Sequence, residues 1–70
     1  MKITVNGEET TLETNNQSIN LDLAIKQLDY DYRLIVVEFN GVILPQNKWR
    51  GQQLSEGDNI EIVTIVGGGS

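Results

Sequence analysis

The chain has no cysteine and no histidine, one proline, and only four aromatic residues: one Trp, two Tyr and one Phe. Without cysteine there is no thiol redox chemistry, no disulfide framework and no zinc site of the usual Cys/His type. Without histidine there is no Ser-His-Asp or Cys-His pair, so the common routes to an activated nucleophile are closed. Basic residues are also scarce. Five Lys+Arg stand against ten Asp+Glu, a formal net charge of −5. Phosphate backbones and anionic lipid surfaces repel such a protein, which argues against nucleic acid or membrane as partner and for a basic patch on another protein. No apolar run approaches the roughly 20 residues that span a bilayer. The opening Met1-Lys2-Ile3-Thr4-Val5-Asn6-Gly7 lacks the apolar stretch of a secretory leader, so the expected location is the cytoplasm.

What is present is a small, well-patterned domain. The 70 residues fit one unit, and Leu, Ile, Val and Phe together number 22, too many for a disordered chain. Nothing staples the fold covalently, so patterned strands and helices around one core must hold it.

Ile3 and Val5 alternate with polar neighbours, the period-2 signature of a half-buried strand. Asn6-Gly7 supplies the two positive-φ positions of a tight hairpin turn. Thr10–Thr14 reads as the return strand, with Leu12 inward. Leu21, Ala24, Ile25 and Leu28 fall at i, i+3, i+4 and i+7, one helical stripe, with Asn20 as N-cap and Asp22 in the first turn. The helix is expected to end between Leu28 and Tyr30. Leu34–Phe39 is a nearly continuous β-branched and apolar run. Asn40-Gly41 marks a second hairpin, whose return strand Val42-Ile43-Leu44 stops at Pro45. Asn47 is expected to cap one helical turn bearing Lys48, Trp49 and Arg50, with Trp49 closing one end of the core. Ser55-Glu56-Gly57-Asp58 is a turn, and Asn59–Val66 the most strand-like segment of the chain.

Two hairpins, one helix and a final apolar strand make an α+β pattern: a mixed sheet of four to five strands with its main helix packed on one face. The apolar character of the last strand on both faces predicts a central position, parallel to the first strand, with the helix in the crossover. That is the ubiquitin-like β-grasp. The expected division is a single domain over residues 1–66 and a flexible glycine tail over 67–70.

The stretch from Glu56 through Ile62-Val63-Thr64-Ile65-Val66 to Gly67-Gly68-Gly69 closely resembles the end of the ThiS family, the bacterial sulfur carrier proteins of thiamine biosynthesis. Met1–Gly7, the helix from Asn20, and Val37–Pro45 followed by Trp49 are similar to the same family, so the resemblance covers essentially the whole chain. It implies a β-grasp carrier that is a protein co-substrate and not an enzyme. The C-terminal glycine would be adenylated by a ubiquitin-activating-type adenylyltransferase of the ThiF class. ATP and Mg²⁺ are bound by that partner, and the chain itself binds no cofactor. Sulfur supplied indirectly by a cysteine desulfurase would give a C-terminal thiocarboxylate, which thiazole synthase consumes. The family pattern places the reactive carboxylate on Gly69, approached by Gly68 and Gly67. Glycine suits that place, because a backbone without Cβ threads a narrow channel. Ser70 departs from the family's usual glycine terminus: if it is native, either one residue is trimmed to free Gly69 or the chain as given is inactive, and if it is foreign to the protein, the tail is masked by it. Partner docking is expected on the last strand, through Ile62, Thr64, Ile65 and Val66. Ile62, Thr64 and Val66 share one face there, Val63 and Ile65 the other.

Competing readings are weaker. A molybdopterin-synthase-type carrier has the same fold and tail chemistry but usually a longer chain with a proline before its Gly-Gly. A ubiquitin-like protein modifier would use the same tail for isopeptide bonds. Asp29-Tyr30-Asp31-Tyr32 lacks the further ligands and the glycine of a calcium loop and reads as a solvated turn. Asn16-Gln17-Ser18 matches a glycosylation sequon, but without a leader it is a chance match. Lys48-Trp49-Arg50 is too little charge for a nucleic-acid site in so acidic a protein.

Overall fold

A computed structural model describes residues 1–65. Two hairpins frame the sheet. Strands β1 (Lys2–Val5) and β2 (Glu8–Thr11) pair antiparallel with Val5 opposite Glu8. Strands β3 (Ile35–Phe39) and β4 (Val42–Ile43) do the same with Phe39 opposite Val42. Each is closed by an Asn-Gly loop with both residues at positive φ: Asn6 at 51° and Gly7 at 82°, Asn40 at 49° and Gly41 at 89°. These two-residue turns match the right-handed twist of the strands they join. The first turn also corrects the expected position of the return strand. With only two loop residues the chain pairs again at Glu8, and not from Thr10 to Thr14; the charged Glu8-Glu9 masks the alternation.

Strand β5 (Asn59–Thr64) joins the hairpins. It lies parallel to β1 and antiparallel to β3, giving the order β2-β1-β5-β3-β4. Helix α1 (Leu21–Gln27) crosses one face. The fold is the ubiquitin-like β-grasp expected from the pattern.

Local signals set the helix. The Asn20 side-chain oxygen accepts from the Leu23 N–H at 2.8 Å, and Lys26 pairs with Asp22 at 3.2 Å one turn away. The Gln27 side chain clamps Glu13 from both sides. It accepts the Glu13 N–H at 2.7 Å and donates to the Glu13 carbonyl at 3.0 Å, fastening the β2–α1 connection. Leu21, Ala24 and Ile25 are buried against Ile3, Val37, Ile60 and Ile62 of the sheet. Among the described residues the core contains no polar or charged side chain.

Trp49 closes the core as expected, 2 % exposed, with its indole N–H donating to the Leu44 carbonyl at 2.8 Å. The helical turn that carries it differs from expectation. It is a 3₁₀ segment over Gln46–Gly51 entered from Pro45, and no side chain caps it. Asn47 lies inside the segment. The fixed φ of Pro45, −67°, sets the entry in place of a cap.

Candidate functional site

The chemistry expected of this chain lies at the C-terminal end of β5, so the geometry there decides what the fold presents. Residues of β3 and β5 face each other in register: Val37 opposite Ile62, Val36 opposite Val63, Glu38 opposite Glu61. Alternation then splits the strand. Ile60 and Ile62 point under α1 and are buried; Glu61 and Val63 point to the other face. Beyond Thr64 the Ile65 N–H donates to the Leu34 carbonyl, which continues the ladder by one more bond. The described chain therefore leaves the sheet from its centre, held against the start of β3.

The uncovered face there is apolar. Val63 is 61 % exposed and Ile65 50 %, with Leu34 and Ile43 also open to solvent on neighbouring chain. Glu38 lies opposite Ile43 on β4 as well as opposite Glu61 on β5, so Val36, Val63 and Ile43 share a face with the two carboxylates. Val42, also exposed, pairs with Phe39 and so belongs to the other face, that of Ile60 and α1. Exposed apolar side chains gathered on one face are the kind of surface on which partners dock.

Glu38 and Glu61 sharpen that reading. Like charges directly opposite on adjacent strands oppose sheet formation. Neither carboxylate takes part in the ion pairs found among the described residues, which are Lys26–Asp22 and Arg33–Asp31. The pair puts negative charge beside the apolar face, where a basic group on a partner would relieve the repulsion.

The sequence-based docking residues divide in the structure. Thr64 and Ile65 are exposed at the end of β5. Ile62 is 6 % exposed and belongs to the core, so it offers a partner no side-chain surface. Val66, Gly67, Gly68 and Gly69 lie outside the described residues. Val63, Leu34 and Ile43 were not singled out as docking residues; for Glu38 and Glu61, with Glu56 and Asp58, the sequence left an acidic docking edge and scattered solvated charge as equal readings. The signal for Val63 was in the sequence, in the alternation of β5. Ile43 and Leu34 needed the strand order.

Elsewhere the surface has little chemistry. One concavity, of about 670 Å³, is lined by Asp22, Pro45, Gln46, Asn47 and Arg50, and its one carboxylate is already paired with Lys26. Asp31 lies at the surface; two hydrogen bonds from the Arg33 side chain, both 3.0 Å, and one from the Arg33 backbone hold its carboxyl below the usual range. The expected solvated turn at Asp29–Asp31 is thus one with an internal ion pair. Among the described residues no three acidic groups converge as a metal cage, and no helix is long and apolar enough to cross a membrane.

Comparison with known proteins places this geometry. The profile of the ThiS family matches residues 3–69, a span that includes the glycines. The uncharacterized protein ycf40 of Trieres chinensis is 42 % identical over 65 residues, covering 93 % of this chain and 85 % of that protein. A thiazole synthase of Paramagnetospirillum magneticum is 34 % identical over 70 residues; all of this chain aligns, to only 21 % of that protein. Among solved structures, the thiamine biosynthesis protein ThiS of Geobacter metallireducens superposes with a TM-score of 0.82 at 28 % identity, covering 99 % of this chain and 100 % of that one.

Proposed function

This chain belongs to the ThiS family, and from that premise we propose that it carries sulfur as a C-terminal thiocarboxylate on Gly69 and donates it for thiazole formation. A carboxylate is a poor acyl donor because oxide is a poor leaving group. Adenylation by a ThiF-class adenylyltransferase, which binds the ATP and Mg²⁺, replaces that leaving group with AMP and releases pyrophosphate. A persulfide sulfur, supplied through a cysteine desulfurase, then attacks the acyl carbon and expels AMP. Opening of the resulting S–S bond by a second thiol leaves the thiocarboxylate. None of these steps uses a side chain of the carrier, so a chain without Cys or His is compatible with all of them.

The family match through Gly69 is the observation that carries this reading. The relative named as a thiazole synthase supports the choice of acceptor, since a segment similar to this chain resides there in one polypeptide with additional sequence. The face around Val63, Ile65, Leu34 and Ile43 is the proposed docking surface for the adenylyltransferase, with Glu38 and Glu61 taking a basic group from it. Docking beside the strand that leads to the tail would present the terminus to the nucleotide while the folded domain stays outside.

The test is intact mass after incubation with ATP, Mg²⁺, a ThiF-class enzyme and a sulfur source, on chains ending at Gly69 and at Ser70. The expected result is a sulfur-for-oxygen mass gain on the Gly69 form alone. Failure of both forms with an enzyme that sulfurises its own carrier rejects the reading. Isopeptide conjugates in lysate without thiocarboxylate would favour a protein modifier instead.

A further inference from the structure

The two Asn-Gly turns carry a second, slower chemistry that does not depend on the carrier role. In an Asn-Gly pair the glycine nitrogen, unhindered by a side chain, attacks the asparagine Cγ. The new C–N bond closes a succinimide, the Cγ–Nδ2 bond breaks, and ammonia leaves. Water then opens one of the two ring carbonyls, giving aspartate or isoaspartate with no change of oxidation state. Attack requires the asparagine side chain to swing free, and in this fold both side chains are tied to β5.

The ties are unequal. The Asn6 Oδ1 accepts the Ile62 N–H at 2.6 Å in a partly buried position between the central strands, and the Asn6 N–H donates to the Ile60 carbonyl at 2.9 Å. Asn40 has more bonds, but its side-chain bonds are exposed: Oδ1 accepts the Asn59 N–H at 2.8 Å and Nδ2 donates to Asp58 Oδ1 at 3.2 Å. The Asn40 N–H, like that of Asn6, donates to β5, to the Asn59 carbonyl at 2.8 Å, but the edge strand beyond Asn40 is the two-residue β4, with Val42 and Ile43 more than half exposed, whereas that beyond Asn6 is the four-residue β2. Short exposed edges open at low free energy, whereas a central parallel pair opens with the whole sheet.

We infer that Asn40-Gly41 is a site of spontaneous deamidation in the folded protein, and that Asn6-Gly7 is shielded by its bond to Ile62. Conversion at Asn40 also damages the fold. A carboxylate there still accepts the Asn59 N–H, but the donor to Asp58 is gone and two like charges take its place. Asp58 is a hub: its other oxygen accepts the Ser55 N–H at 2.7 Å, and its carbonyl accepts the Thr4 N–H at 2.9 Å. Repulsion there strains the turn that leads into β5. The isoaspartate product adds a methylene to the main chain, which a two-residue loop has no room to absorb.

The experiment incubates the full chain in mildly alkaline buffer and follows both sites by peptide mapping with mass spectrometry, beside a urea-unfolded sample. In the folded chain Asn40 is expected to convert on the order of tenfold or more faster than Asn6. In urea the two rates converge. Equal rates in the fold, Asn6 converting first, or neither site converting while the urea sample does, would each overturn the assignment. The Asn40→Asp variant is expected to melt lower than the parent. An unchanged melting midpoint would overturn the claimed damage.

Discussion

The two faces of β5 are made from one six-residue strand and do opposite jobs. Toward α1, Ile60 and Ile62 are packed out of water. Toward solvent, Glu61 and Val63 violate what an isolated sheet would choose: a carboxylate facing another carboxylate, and a valine left 61 % exposed. The buried face obeys every local rule of stability. The open face departs from those rules where the proposed partner would repair them, and departures of that kind concentrate at functional sites.

The comparison breaks most visibly on the buried side. Ile60→Ala should lose about 2–5 kcal/mol and Trp49→Ala about 3–5 kcal/mol of stability, read by denaturant unfolding. Loss on that scale is a large part of what so small a domain has. On the open side, Val63→Thr, which keeps a β-branched side chain in the strand, should leave unfolding within roughly 0.5 kcal/mol of the parent. The same change should weaken binding to the adenylyltransferase by more than ~1 kcal/mol, read by titration calorimetry. Equal stability loss at Val63 and Ile60 would erase the distinction between the faces.

Glu61→Gln tests the carboxylate pair in both directions. Relief of the like-charge contact should raise stability by roughly 0.2–1 kcal/mol, while binding weakens and loses part of its salt dependence. A variant that is both less stable and unchanged in binding would remove the pair from the docking surface.

The smallest effect concerns Asp31, away from both faces. Arg33 holds its folded carboxyl below the ordinary value of an aspartate. A depressed carboxyl contributes stability that is fully present above the unfolded value and is lost as pH falls through the folded one. The Asp31→Asn variant should therefore differ slightly from the parent at neutral pH and converge with it in acid, as followed by thermal melts. A gap that widens in acid would contradict that sign.

Much of this fold is legible in the residues because its signals are local. Asn-Gly closes both hairpins, Asn20 starts the helix, and the stripe through Leu21, Ala24 and Ile25 picks the buried face. The errors came where local signals conflict or are silent. Glu8-Glu9 looks like loop but pairs as strand, because the turn before it dictates register. Asn47 looks like a cap, yet Pro45 already fixes the entry. For the site, the family resemblance identified the tail residues, and composition showed only that they are slender. Alternation separated Ile62 from Val63 but could not say which one faces water. That depended on where α1 lies. Bringing Leu34 and Ile43 to the same surface depended on strand order, a property of the whole chain.

The position of β5 also governs how the molecule assembles. Asn6 and Ile62, joined by a hydrogen bond, are 56 positions apart in sequence. The β1–β2 and β3–β4 hairpins share no strand pairing with each other until β5 inserts between them. Folding must therefore close a long loop before the sheet exists, which makes it slower than a helical bundle of the same size. Until that closure, β1 and β3 each present an unpaired edge, and such edges template aggregation. A nascent chain carrying both hairpins but not yet β5 is thus the most vulnerable species in the life of this protein.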